Sequence, residues 1–358
     1  MKSRDTPQER SQSDEHFMRL AIKEASRGLG LTAPNPAVGA VIVKNGRLLA
    51  KGYHRAAGLP HAEIDAIRKL ISSFIFHPSA FSLPPRLLAG STLYVTLEPC
   101  SSHGKTPPCT GAIIAAGISR VVYGTRDPDK RHLGRATKIL RKAGIEVTEG
   151  ILSEECAALN AHWNHRNVTG LPWVIAKAGM SLDGRIDSPP HRRWITSAAS
   201  RKAAMHLRAS VEAILVGGGT LRTDDPALTI RGIKLAKNHP QPWRVVWSRS
   251  GKLPKKSKLL TDAHRDHTIV LSGMSLQAAL KELGRRGISS ILIEGGGHTL
   301  GEAFRRELVD EVRFFIAPVI QGGNVPAVSG DISPAHLTEV SYTKIGSDVM
   351  ISGKVKKT

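Results

Sequence analysis

The stretch HAEIDAI, residues 61–67, and the later stretch EPCSSHGKTPPC, residues 98–109, contain one histidine, one nearby carboxylate and two of the chain's three cysteines. A catalytic zinc site wants three protein ligands and one open position for water. His61, Cys100 and Cys109 supply such a nitrogen and sulfur set, with Glu63 beside them as the acid and base. Residues i and i+2 point about 200° apart around a helix, so His61 and Glu63 can serve one metal only if the helix is met end-on. Pro60 suits a first helical turn at that place. PPCTG likewise opens a helix at Cys109, where the positive end of the helix dipole favours a thiolate. A lone histidine of this kind reads as a surface residue, and lone cysteines as small core residues. The pairing of His-x-Glu with a downstream Pro-Cys weighs for the metal, because it brings nitrogen and sulfur ligands together with a proton-carrying carboxylate. Cys156 has no partner in the sequence and reads as structural.

Outward from these stretches, the pattern alternates. A polar tail over 1–13 precedes a helix predicted at 15–27 with Asp14 as its cap, since Phe17, Leu20, Ala21 and Ala25 recur at helical spacing. TAPNPAVGAVIV turns into a strand at 38–43, and HAEIDAIRKL is a helix. Residues 72–90 read as a loop whose Phe74, Ile75, Phe76 and Phe81 pack locally. A strand at 92–97, a helix at 110–116, a strand at 120–124 and a helix at 134–143 complete an α/β layered domain over 14–150. A polar, helix-like connecting segment over 151–170 gives way to PWVIAKAGM, which opens a second domain over 171–358. There the pattern predicts helix 198–208, strands 212–217, 243–248 and 268–271, helix 275–285, strand 289–293, helix 299–307 and a β-rich end. The halves do not resemble one another.

The bulk numbers bound the function. With 358 residues, two domains are the default, and 41% apolar residues with 34 glycines and 21 prolines read as loop-rich and globular. No apolar run approaches the ~20 residues of a membrane span, and the polar N-terminus has no signal-peptide core. A cytoplasmic protein with no membrane partner is expected. Three cysteines make no secreted disulfide framework. The net charge of +21 favours anionic partners. The basic residues are spread along the chain, so a phosphorylated small substrate or a solvated basic surface accounts for it as well as nucleic acid does.

The first half resembles the cytidine-deaminase superfamily, and within it the pyrimidine deaminases of riboflavin biosynthesis. The superfamily usually spaces its cysteines Cys-x-x-Cys, and the long CSSHGKTPPC form marks the riboflavin branch. PNPAVGAVIV, GYH and RDPD match it too. The resemblance implies a three-layer α/β/α deaminase domain with one zinc on His61, Cys100 and Cys109 and with Glu63 as the proton carrier. It also implies that Asn35, His54, His103, Lys105 and Asp129 contact a phosphorylated, nucleotide-like pyrimidine. A loop carrying His103 and Lys105 can reach an anion; Asn35, between prolines, could equally shape a turn. Where the family reads DPNP, this chain reads DPDKRHLGRA: Asp129 replaces an asparagine, Ala136 a glycine, and Lys130 and Arg131 add charge.

The second half carries KAGMSLDGRI (177–186), WITS (194–197), AILVGGGTLRTDDPALTIR (213–231) and LIEGGGHTLGEAF (292–304). Glycine clusters after strands let a backbone approach phosphates, but none is the Gly-x-Gly-x-x-Gly fingerprint of a standard Rossmann domain. The combination is similar to the reductase domain of the same riboflavin enzymes, a dihydrofolate-reductase-like α/β fold that uses NADPH. By that resemblance Lys177, Arg192, Arg208, Leu228, Arg231 and Glu294 line the substrate site. Met180, Trp194, Thr220, Asp224, Arg249, Gly296, Gly297, His298, Thr299, Leu300, Gly301 and Glu302 would contact NADPH. Trp194 as a core aromatic and the arginines as surface ion pairs are the plain rivals. The family's VVLDS reads VVWSRS here, placing Ser248 and Arg249 where aspartate and serine are usual. Arg249 or Arg192 could favour the extra phosphate of NADPH, or could mark a reductase half that has lost activity. The resemblance thus implies a bifunctional enzyme that deaminates a pyrimidine and then reduces its ribosyl side chain, as a homo-oligomer. An RNA deaminase remains the rival from another class, and the Cys100–Cys109 spacing and the second half weigh against it.

Overall fold

The computed structural model describes residues 6–74, 88–103, 107–129, 132–187, 194–235 and 239–357. They fall into two compact units, Met1–Val168 and Thr169–Thr358. Among the described residues no helix is long and apolar enough to cross a membrane.

The first unit is a five-stranded sheet between two helical layers. Its strands are β1 (Gly39–Lys44), β2 (Arg47–Tyr53), β3 (Ser91–Leu97), β4 (Arg120–Thr125) and β5 (Glu146–Glu149), in the order β2-β1-β3-β4-β5. β1 runs antiparallel to both neighbours, whereas β3, β4 and β5 are parallel. The helices are α1 (Pro7–Ser26), α2 (Ala62–Phe74), α3 (Cys109–Ala115), α4 (Arg135–Lys142), α5 (Ser153–Leu159) and α6 (Ala161–Thr169). Ala62, Ala66, Ile67 and Leu70 of α2 pack with Ile113 and Leu140 on one face of the sheet. Phe17, Met18 and Ala21 of α1 pack with Cys156 on the other.

The first helix corrects the expected tail. Thr6 caps it and Glu9 completes a reciprocal capping box, so the helix starts at Pro7 instead of after Asp14. Asp14 lies in the core, where it accepts two bonds from Arg120 at 2.7 Å each and one from the Tyr94 hydroxyl at 2.8 Å. The connecting segment is two helices; α5 sets Cys156 against Gly124 of β4. Of the expected loop at 72–90, residues 72–74 end α2, 88–90 form a turn, and 75–87 lie outside the described residues.

The second unit is an eight-stranded sheet. Its strands are β6 (Trp173–Ser181), β7 (Ala213–Gly217), β8 (Trp243–Ser248), β9 (Thr268–Ser272), β10 (Ser290–Ile293), β11 (Glu311–Ala317), β12 (Leu337–Ile345) and β13 (Asp348–Val355), ordered β12-β13-β11-β6-β10-β7-β8-β9. The run from β11 to β9 is parallel, and β13 and β12 extend it antiparallel. The helices are α7 (Ala198–Ala209), α8 (Gly218–Asp224), α9 (Lys258–Thr261), α10 (Leu276–Arg285) and α11 (Gly297–Arg305). Leu276, Leu280, Leu283 and Leu300 of α10 and α11 cover one face; Leu207, Leu221 and Leu259 of α7, α8 and α9 cover the other. The chain goes from β7 to β8 and β9, then doubles back to set β10 between β6 and β7. Such a reversal leaves a crevice at the carboxyl ends of the strands, where open α/β sheets hold ligands.

Candidate active sites

In the first unit, His61 sits immediately before α2, and its carbonyl accepts the first helical bond, from the Asp65 N–H at 2.9 Å. His61 is therefore the cap and Glu63 the first turn, which is the end-on arrangement that lets residues two apart serve one centre. Gly52 of β2 makes this possible: a β-carbon there would lie 2.3 Å from the Ala62 carbonyl oxygen. Cys100 follows β3, and Cys109 opens α3, donating its N–H to the Cys100 sulfur at 3.2 Å.

His61 Nδ1 lies 3.5 Å from Cys100 Sγ and 3.3 Å from Cys109 Sγ, and all three ligand atoms fall within 4.8 Å of one another. Zinc bonds of about 2.3 Å to sulfur and about 2.0 Å to nitrogen, at tetrahedral angles, separate nitrogen from sulfur by about 3.5 Å. The donor set fits zinc. Its chemistry agrees: the hydrogen bond between the thiols pushes Cys100 down to about 4 and Cys109 upward, so the pair competes for a proton that a cation would displace. Glu63 is buried beside them. Burial, reinforced by Cys100, pushes its carboxyl up to about 7, where it can take and return a proton.

His54, which the resemblance places at the substrate, is held between Pro60 and Asn35. It is 2% exposed, and burial lowers its proton affinity, so the ring is neutral. Nδ1 lies 3.1 Å from the Pro60 carbonyl, which can only accept, so that nitrogen carries the hydrogen. Nε2 then accepts from Asn35 Nδ2 at 3.1 Å. His103 is exposed, and Lys105 lies outside the described residues.

Asp129 lies on a loop that the sequence reading did not explain. Glu98, buried two residues before Cys100, accepts from the N–H groups of Asp127, Gly134 and Ala136 at 3.3, 3.0 and 3.0 Å. The carboxylate of EPC thus ties the backbone at Asp127, Gly134 and Ala136 to the segment that carries Cys100. His132, from the divergent DPDKRHLGRA stretch, adds a contact to Ser102 Oγ at 3.3 Å. Lys130 and Arg131 lie outside the described residues.

In the second unit, a cavity of about 1860 Å³ opens over the carboxyl ends of β6, β10, β7 and β8. That volume exceeds the ~300–1,000 Å³ of a drug-sized site and leaves room for two ligands. Lys177, Arg208, Leu228, Arg231 and Glu294 line it, as do Trp194, Thr220, Asp224, Arg249, Gly296, Gly297, His298, Thr299, Gly301 and Glu302. Arg208 donates to Glu294 through Nε at 2.7 Å and Nη2 at 3.0 Å, and Lys177 Nζ is 3.7 Å away. Burial alone would raise the Glu294 carboxyl, but Lys177 and Arg208 outweigh it and hold it at about 2. The two glycine turns are tied together, Gly296 N–H donating to Thr220 Oγ1 at 3.0 Å.

Two residues of the expected cofactor set turn their side chains away from the cavity. Strand side chains alternate faces: Lys177 and Gly179 of β6 face the cavity, while Met180 packs on the opposite face with Phe304 and Phe314. Leu300 is on the core side of α11, fully buried. Gly301 lines the cavity but is demanded by packing, since a β-carbon there would lie 1.7 Å from the Ser329 carbonyl oxygen. Arg249 is 63% exposed at the end of β8, tethered to the buried Glu302 at 3.0 Å and set over the Trp247 ring at 5.6 Å. Arg192 lies outside the described residues. Thr196 and Arg201 also line the cavity and were not in the expected set; the place of Thr196 in WITS was the available signal, whereas Arg201 comes from α7 and had none.

The comparisons with known proteins divide the chain the same way. Residues 11–125 match the cytidine and deoxycytidylate deaminase zinc-binding region, and residues 172–351 match the RibD C-terminal domain. The riboflavin biosynthesis protein RibD of Escherichia coli is 36% identical over 347 residues, covering 87% of this chain and 89% of that protein. Its counterpart from Mycobacterium tuberculosis is 36% identical over 353 residues, covering 96% and 98%. Among solved structures, Acinetobacter baumannii RibD superposes with a TM-score of 0.85 at 32% identity, covering 97% of this chain and 100% of that one. A diaminohydroxyphosphoribosylaminopyrimidine deaminase/5-amino-6-(5-phosphoribosylamino)uracil reductase from Thermotoga maritima gives 0.79 at 33% identity, with the same coverage.

Proposed function

The chain belongs to the family of the riboflavin biosynthesis protein RibD, and on that footing we propose how its residues divide two reactions. The enzyme deaminates 2,5-diamino-6-(5-phosphoribosylamino)pyrimidin-4(3H)-one, then reduces the ribosyl chain of 5-amino-6-(5-phosphoribosylamino)uracil to ribityl. The observation that carries the reading is the His61, Cys100 and Cys109 cluster with buried Glu63 beside it, in a chain whose second half matches the RibD reductase domain.

His61, Cys100 and Cys109 would hold zinc, which when bound supplies a Lewis acid that makes water acidic near neutrality. Glu63 takes one proton of the water that adds to the amine-bearing ring carbon and gives it to the ring nitrogen; it then takes the remaining proton from the new hydroxyl on that carbon and passes it to the amine, so that the carbonyl forms as the C–N bond breaks and ammonia leaves. Asn35 Oδ1, oriented through His54, accepts from the pyrimidine. His103, Lys105 and Asp129 act at the polar and phosphorylated end.

In the cleft of the second unit NADPH, when bound, supplies the hydride. Trp194, Thr220, Asp224, Arg249 and the turn at 296–299 would hold it. Arg208 and Arg231 bind the ribose phosphate, and Lys177 and Glu294 hold the reacting end of the substrate. The same reading carries a cytoplasmic location and a homo-oligomer, the latter readable by light scattering. The test is a coupled assay on the diaminopyrimidine substrate. One ammonia released before one NADPH is consumed supports the reading. Ammonia without NADPH loss, even when deaminated substrate is supplied, would mean a silent reductase half.

A further inference from the structure

The WITS segment carries Trp194 and Thr196 into the reductase cleft, and the last hairpin of the chain reaches across to hold it. Ser197 caps α7, accepting from the Ser200 N–H at 3.2 Å. The Ser197 N–H itself donates to Asp348 Oδ2 at 2.7 Å, from the tip of the β12–β13 hairpin. Asp348 is 1% exposed, and its other oxygen accepts from Ser347 Oγ at 2.9 Å. The Ser197 hydroxyl donates in turn to the Ile345 carbonyl at 3.4 Å. Gly346, at φ +64°, lies flush on the helix: a β-carbon there would be 3.1 Å from Ala199 Cβ.

From this clamp the geometry passes directly to the cleft. Arg201, one turn along α7, donates to the Thr196 carbonyl at 2.7 Å and lies over the Trp194 ring at 5.0 Å. Thr196 Cγ2 in turn would lie 3.3 Å from a β-carbon on Gly179 of β6. The far end of α7 is fixed separately, through Arg208 to Glu294. Each end of the helix is therefore tied to a buried carboxylate, and the Asp348 end sets where Trp194 and Thr196 stand. A charge-assisted bond to a backbone N–H at this distance is among the stronger single hydrogen bonds in a protein.

The geometry points to Asp348 as a positioning residue for the reductase, acting through Ser197 on the Trp194–Thr196 wall of the NADPH cleft. This rests on the proposed NADPH reading of that cleft. The Asp348 side chain makes its bonds to Ser197 and Ser200 at the start of α7 and to its own turn, and is absent from the residues that line the cavity, so its effect on the cofactor is transmitted.

The experiment uses the full chain with Asp348→Ala, Asp348→Asn and Gly346→Ala, read by fluorescence titration with NADPH, by reductase kinetics and by ammonia release. Asp348→Ala should weaken NADPH binding on the order of tenfold, the effect of losing one strong buried hydrogen bond. The KM for NADPH should rise with it, kcat at saturation should change little, and ammonia release should be unchanged. Asp348→Asn keeps an oxygen acceptor for Ser197 and should restore binding. If Asp348→Ala does not fold, Gly346→Ala carries the test, because its methyl group crowds α7 while the carboxylate stays; it should show the same selective loss. NADPH binding by the unaltered chain with no weakening in folded Asp348→Ala or Gly346→Ala overturns this proposal alone. A folded Asp348→Asn that is as weak as Asp348→Ala overturns it too. No NADPH binding by the unaltered chain overturns both this proposal and the reading beneath it.

Discussion

Replacing Glu294 with glutamine should cost the second unit about 3 kcal/mol at neutral pH and almost nothing in strong acid. The carboxylate is buried, bonded twice by Arg208 and approached by Lys177, and these cations hold it at about 2 against an ordinary 4.5. At 1.36 kcal/mol for each pH unit, that difference corresponds to about 3 kcal/mol of stability. It agrees with the ~3–5 kcal/mol typical of leaving one partner of a buried pair uncompensated. The sign follows from the depressed value. Above about pH 4.5 both folded and unfolded carboxyls are ionised, and the full contribution is present. As pH falls from 4.5 towards 2, the unfolded chain takes up its proton first and the contribution is lost. Urea unfolding followed by tryptophan emission suits the measurement, since Trp173, Trp194, Trp243 and Trp247 lie in this unit and Trp163 in the other. The gap between the two proteins should be about 3 kcal/mol at pH 7 and should narrow steadily below pH 4.5. A gap under about 1 kcal/mol at pH 7, or one that does not narrow in acid, would refute the reasoning.

Two further substitutions probe the first unit. Cys109→Ser should drop bound zinc, measured by plasma emission after dialysis, from one per chain to a small fraction, because a neutral hydroxyl is a poor replacement for a thiolate; retention of one zinc would remove Cys109 from the ligand set. His54→Phe removes the acceptor that orients Asn35 and should lower deaminase kcat/KM about tenfold while zinc content holds. Equal kcat/KM in the variant would mean that Asn35 needs no such support.

The metal cluster was legible because its chemistry dictates residue types: few arrangements of one His-x-Glu and a downstream Pro-Cys serve anything else. The α/β alternation was legible from periodicity. What stayed hidden depends on contacts between distant residues or on which face a residue takes. Met180 entered the cofactor set by resemblance, although the period of two along β6 that points Lys177 at the cleft turns Met180 away. The Leu300 side chain likewise faces the core from α11. Glu98 reads as part of a metal motif, yet its partners are backbone N–H groups some thirty residues on, and such groups leave no trace in a sequence. Asp14 looked like a helix cap because acidic residues before an apolar run usually are; the buried guanidinium of Arg120 claimed it instead.

The two-site account stands or falls on separating the reactions in one chain with Glu63→Gln. The glutamine keeps the shape of the buried side chain but cannot carry the proton, so ammonia release should fall by about 10²–10⁴-fold. NADPH oxidation should vanish on the diamino substrate and persist undiminished on the deaminated one. Loss of NADPH oxidation on both substrates, with the protein folded and its zinc in place, would contradict the account.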